Sequence, residues 1–175
     1  MNKKKLQQML VLGAVLVVII GIWFGKNRNN TSSSGTAQVS GGWPPLIVTE
    51  LNLEEIFSRG LPVIITFGSD FCPPCRQMMP ALEEIHTEMQ GKAVIHYVDI
   101  WKTPDVVREF PVPVTPTQVF FTADGEPYRP SEERRLIPFI FYKRRDTDEH
   151  VFTVHEGALT AEQMREILID MGVAE

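Results

Sequence analysis

Residues 43–175 predict an α/β domain, and three observations carry that class. The β-branched apolar run Val63-Ile64-Ile65-Thr66-Phe67 has the length and composition of a buried strand. Met78, Leu82, Ile85 and Met89 then recur at helical spacing before a second apolar run, Ala93 to Val98, so a helix separates two strands. The chain closes on Thr160-Ala161-Glu162-Gln163, a capping-box pattern, ahead of Met164, Ile167, Leu168 and Met171 on one helical face.

The elements follow in chain order. Residues 1–5 carry Lys3, Lys4 and Lys5 and precede 20 consecutive uncharged positions, Leu6 to Gly25, with a dense apolar centre. That length and flank read as a transmembrane signal anchor with a cytoplasmic basic N-terminus and everything after it extracytoplasmic, on the periplasmic or outer cell-surface side. A cleaved signal peptide is the alternative. Its small-residue pair, Gly35 and Ala37, lies well beyond the apolar run. Residues 26–42, rich in Asn, Ser, Thr and Gly, cannot bury enough apolar surface to fold and read as a flexible tether. About 130 residues remain, enough for one core, and a monomer is the default.

Within the domain, Leu53, Ile56 and Phe57 predict a short helix stopped by Gly60, ahead of the first strand. After the strand Ala93 to Val98, Thr103-Pro104 has the cap and first-turn chemistry of a helix running to Phe110. Thr117 to Thr122 is a third strand ended by Ala123-Asp124-Gly125-Glu126, and Val151 to His155 is a fourth. All 22 acidic residues lie after the tether, whereas five of the 17 basic ones lie before or within it, leaving 12 against 22 and a net charge of −10 on the domain. Such a domain is a poor partner for nucleic acid.

The only two cysteines of the chain form Cys72-Pro73-Pro74-Cys75, placed where the first strand gives way to the helix. A helix N-terminus offers unpaired N–H groups and partial positive charge, which favour a thiolate at Cys72. Cys75, one turn on, can attack a mixed disulfide formed at Cys72. Pro73 and Pro74 suit the first helical turn, where a missing N–H costs little. Half of a zinc site is the bland alternative. No second C-x-x-C or close His pair completes it, since His86 and His96 lie on different predicted elements and His150 and His155 far along the chain. No metal ligand set and no cofactor beyond a redox-active disulfide is therefore expected.

Strand, Cys72-Pro73-Pro74-Cys75, helix with Pro80, strand, helix, then Val114-Thr115-Pro116-Thr117 before a strand and Gly157-Ala158-Leu159-Thr160 before the last helix together resemble thioredoxin, over roughly Leu61 to Met171. The 41-residue interval from Cys75 to Pro116 matches the pattern of a minimal member. The resemblance implies the thioredoxin fold, a mixed central sheet flanked by helices. It also implies a cis bond before Pro116 and makes Thr115 and Pro116 contacts for an extended substrate, with Ile137-Pro138-Phe139 the rival for that role.

Three departures from the family pattern stand out. Thr66 occupies the position of a buried aspartate that helps deprotonate the second thiol, with Asp70 nearby on an exposed loop. Gly68 and Phe71 replace tryptophans around the motif. Pro116 to Gly157 spans 41 residues, where two strands and a tight loop need roughly 16. An insertion is placed at about 127–150, forming a hairpin-like segment before the last strand; its run Arg134 to Arg145 is apolar between basic clusters.

Resemblance and anchor together imply an extracytoplasmic thiol:disulfide oxidoreductase, with Cys72 as nucleophile and Cys75 as resolving thiol. The reducing direction is the expectation, with a membrane thiol electron carrier as donor and disulfides of exported proteins as substrates, including those of cytochrome c maturation. The alternatives are a disulfide oxidase or isomerase and, in another class, a copper-binding delivery module, against which the two-residue spacing of the thiols counts.

Overall fold

The computed structural model describes residues 42–132 and 137–174. The expected anchor at 6–25 and nearly all of the tether lie outside them. Among the described residues no helix is long and apolar enough to cross a membrane.

Trp43–Glu175 is one compact unit built on a six-stranded mixed sheet of order β1-β3-β2-β4-β6-β5. The strands are β1 (Ile47–Val48), β2 (Val63–Gly68), β3 (Val94–Asp99), β4 (Thr117–Phe121), β5 (Ile140–Lys143) and β6 (His150–Glu156). The helices are α1 (Leu53–Phe57), α2 (Pro73–Glu88), α3 (Pro104–Val107) and α4 (Ala161–Asp170). β1 and β2 flank β3 in parallel, and β4 joins β2 antiparallel. β6 and then β5 extend the antiparallel side.

β2 and β3 are buried at every residue, which is why they read as near-continuous apolar runs. Alternation along the strands still sorts side chains into two cores. Ile64, Ile95 and Phe120 face one way and meet Met78, Leu82 and Ile85 of α2 and Met164, Ile167 and Leu168 of α4. Val63, Ile65, Phe67, Val98 and Val119 face the other way, under Ile56 of α1 and Phe110. Each such side chain contributes roughly 1.5–3 kcal/mol on burial, so two-sided coverage makes β2 a rigid support for whatever follows it.

Helix ends obey their local chemistry. Thr160 and Gln163 form the reciprocal capping box at the start of α4, and Asn52 caps α1. The third helix corrects the sequence reading, because α3 ends at Val107 and not at Phe110. Glu109 and Phe110 donate to carbonyls only three residues back, and this tightening turns Phe110 inward to pack 4.9 Å from the ring of Phe67. Thr103 does not cap the helix with its side chain; its hydroxyl donates to the Asp99 carbonyl at 2.7 Å.

The segment read as an insertion supplies β5, the outermost strand, paired to β6 with an irregularity at Tyr142 and Lys143. It also enters the core, since Tyr128 and Ile137 are buried and Phe139 packs on Phe120 and Tyr128. Residues 133–136 lie outside the described set.

Candidate active site

β2 ends at Gly68, and the chain turns through Ser69 to Phe71 before α2 begins. Ser69 organises that turn: its carbonyl accepts from Cys72 N at 3.1 Å and its hydroxyl from Phe71 N at 3.0 Å. Cys72 is the N-cap of α2, and its sulfur accepts from the backbone N–H of Cys75 at 3.2 Å. Pro73 and Pro74 are exposed in the first turn.

Cys72 and Cys75 are joined in a disulfide with Cα atoms 5.2 Å apart. Their surroundings differ. Cys75 is wholly buried, whereas Cys72 keeps partial contact with solvent. A reactant arriving from solution meets the Cys72 sulfur first, and the N–H at its back is the kind of donor that stabilises a thiolate.

Thr115 and Pro116 come to the same place from the loop before β4, the strand beside β2. The Thr115–Pro116 peptide is cis, and the Thr115 carbonyl oxygen lies 3.5 Å from Cys72 Sγ. Pro116 O accepts from Gly157 N at 2.8 Å, which ties this loop to the start of the last helix segment. Ile137-Pro138-Phe139 is elsewhere, leading into the outermost strand, where Pro138 O accepts from His155 Nδ1 at 2.9 Å. It does not share the site.

A family model, Thioredoxin, matches residues 45–140. The chain belongs to the thioredoxin family. It is 33% identical to a thioredoxin of Mycobacterium tuberculosis (strain ATCC 25618 / H37Rv) over 75 residues, which are 43% of this chain and 64% of that protein. Identity to a Staphylococcus haemolyticus thioredoxin is 35% over 80 residues, covering 46% of this chain and 75% of the relative. A bifunctional thioredoxin reductase/thioredoxin of Mycobacterium leprae matches at 32% over 75 residues, 43% of this chain but only 16% of that protein. Chloroplastic thioredoxin z shares the fold, with a TM-score of 0.51, 23% identity, and coverage of 71% of this chain and 91% of that one.

Around the Cys72–Cys75 disulfide, three large apolar side chains stand in solvent: Phe71 at 83% exposure, Trp101 at 70% and Val114 at 49%. Phe71 adjoins Cys72 and Val114 adjoins Thr115 in sequence; Trp101 follows Ile100, whose N–H donates to Gly68 O at 2.9 Å. All three therefore fringe the end of β2 that presents the thiols. Sequence reasoning had singled out Phe71 but missed Trp101, which periodicity cannot distinguish from core.

Asp70 is exposed and paired with Lys102 at 2.8 Å, while Thr66 is wholly buried and its hydroxyl has no hydrogen-bond partner. Gln118, also missed, is buried beside it: Nε2 donates to Gly157 O at 3.0 Å and Oε1 has no partner. Among the described residues no group of three or more His, Cys, Asp or Glu could hold a metal ion. His86 and His96, separate in sequence, converge instead on the carbonyls of Pro44 and Pro45, at 2.8 and 3.0 Å. Burial holds the His96 pKa below the usual histidine range, against the opposing pull of the Pro45 carbonyl.

Proposed function

We propose that the protein is an extracytoplasmic thiol:disulfide oxidoreductase that reduces disulfides of exported proteins. The observation that carries this reading is the asymmetry of the pair, an accessible Cys72 sulfur at a helix N-terminus backed by a wholly buried Cys75. In the reduced protein the Cys72 thiolate attacks one sulfur of a substrate disulfide, forming a mixed disulfide and expelling the other substrate thiolate. Cys75 then attacks Cys72 Sγ, closing the Cys72–Cys75 bond and releasing the second substrate thiol. Two electrons pass from dithiol to substrate; the Cys75 proton ends on one substrate thiol, and solvent protonates the substrate thiolate expelled by the Cys72 thiolate.

Thr115 and Pro116 are the surface along which an extended substrate segment lies, and Phe71, Trp101 and Val114 give it an apolar fringe to dry against. Similarity to proteins named thioredoxins supports the chemistry. The reading of residues 6–25 as an anchor and 26–42 as a tether supports an extracytoplasmic domain held near the membrane. From there a membrane thiol carrier is the electron donor, and apocytochrome cysteines are among the substrates.

The deciding experiment is the reduction potential of the full chain in detergent, equilibrated against dithiothreitol or glutathione. A potential near thioredoxin's, about −270 mV, is expected; one near about −120 mV would make the protein a disulfide donor and overturn the direction. Accessibility of Cys72 to a membrane-impermeant thiol reagent in intact, reduced cells tests the location, and protection until lysis would sink it.

A further inference from the structure

Four buried polar side chains run in a row across the sheet, on the face that α2 covers. In the strand register Tyr97 stands opposite Thr66, Thr66 opposite Gln118, and Gln118 opposite His155. Residues directly opposite present their side chains to the same face. That face is the one α2 covers, because Gln118 Nε2 lies 3.6 Å from Met78 Sδ. Met78 and Cys75, three residues apart on α2, are both buried, and three residues of helix rise about 4.5 Å. Cys75 thus sits less than one helical turn beyond the contact between Met78 and Gln118.

Two neighbouring members of the row, Thr66 Oγ1 and Gln118 Oε1, are fully buried without a hydrogen-bond partner. The amide orientation of Gln118 is fixed, since Gly157 O can only accept and so takes Nε2. Adjacent unpaired polar atoms in a packed interior are costly unless a polar species lies between them, and a water molecule with several partners is the ordinary one.

We propose that Thr66 and Gln118 hold a water beneath Cys75 that takes up the Cys75 proton in the resolving step, an inference that rests on the redox reading above. The S–H of Cys75 breaks as its sulfur attacks Cys72 Sγ. The Cys72–substrate S–S bond breaks, the Cys72–Cys75 bond forms, and the proton, relayed through the water, ends on the departing substrate thiolate. Thr66 and Gln118 are positioning residues; neither touches the reacting sulfurs. The titratable groups facing the row are Tyr97 and His155 at its ends, with Asp99 two residues beyond Tyr97 and Asp70 also acting on the Tyr97 phenol. The Asp99 carboxylate is occupied by the N–H groups of Trp101 and Lys102 and by the Lys102 ammonium. The inner faces of α2 and α4 offer only Cys75 among apolar residues.

The test is stopped-flow reaction of the reduced full chain with 5,5′-dithiobis(2-nitrobenzoate) across pH. The first thionitrobenzoate reports attack by Cys72 and the second reports resolution by Cys75. In Thr66→Val and Gln118→Met the second phase slows on the order of tenfold or more and its pH midpoint rises, the first phase is unchanged, and Thr66→Ser restores wild-type behaviour. An unchanged second phase and pH profile in Thr66→Val overturns the proposal. Should that variant lose cooperative thermal unfolding, Gln118→Met is read by the same criterion. Failure of the wild-type protein to release a second equivalent would instead defeat the redox reading itself.

Discussion

The sulfur of Cys72 stands 3.5 Å from the carbonyl oxygen of Thr115, a residue 43 positions further along the chain. The contact sets the Cys72 sulfur against the loop before β4, so on the function proposed above a peptide laid beside Thr115 would bring its disulfide to Cys72 and not to the buried Cys75. Replacing Cys75 with Ser should therefore trap the first half of the reaction. Cys75→Ser is expected to accumulate a mixed disulfide with a protein substrate, visible on a non-reducing gel and lost with dithiothreitol. Cys72→Ser should form none; equal trapping by both variants would reverse the assigned roles.

Phe71 and Trp101 are too exposed to matter much for stability, so their replacement separates recognition from chemistry. Phe71→Ser and Trp101→Ser should each lower kcat/KM for reduction of insulin by roughly fivefold, equivalent to about 1 kcal/mol of apolar contact. The rate with glutathione disulfide, which is too small to span the fringe, should stay within experimental scatter. Equal losses on both substrates would mean that the aromatics shape the thiol environment instead.

Legibility of the fold in the sequence followed how local each determinant is. β2 and α2 could be read because a β-branched run and a four-residue apolar repeat are local patterns, and the capping box of α4 is a four-residue one. β1 was not legible: Ile47–Val48 is two residues long and owes its existence to pairing with Tyr97 and Val98. The end of α3 was misplaced because Phe110 obeys the pull of Phe67 across the core and not a local stop signal. In the site, Cys72 and Cys75 could be picked out by their spacing, and Thr115 and Pro116 by the resemblance to the thioredoxin family. Trp101 and Gln118 could not, since one is an apolar residue left outside and the other a polar residue taken inside, and only the tertiary contacts decide either.

Gly68 is required for packing and not for backbone freedom. A Cβ at this position would lie 2.5 Å from the Tyr97 hydroxyl oxygen and 2.7 Å from its ring. Tyr97 is buried under α2 and cannot swing clear without displacing its neighbours. Gly68→Ala is expected to destabilise the domain by about 1–3 kcal/mol, the usual cost of overpacking. Urea denaturation followed by circular dichroism measures this; a midpoint equal to wild type would show that Tyr97 moves freely.

Tyr97 also predicts a pH dependence. Burial raises its phenol from the ordinary 10.0 to about 12, and the carboxylates of Asp99 and Asp70 push in the same direction. Below about pH 10 the folded and unfolded chains both keep the proton, and the contribution of the neutral, buried phenol is fully present. As the pH rises from 10.0 towards about 12, the unfolded chain sheds this proton while the folded chain retains it. Unfolding then releases a proton, so stability falls with pH across that window. Tyr97→Phe removes the titrating group and should flatten the fall relative to wild type, read as the urea midpoint at a series of pH values. Parallel slopes for the two proteins would place the Tyr97 hydroxyl in contact with solvent in the folded state.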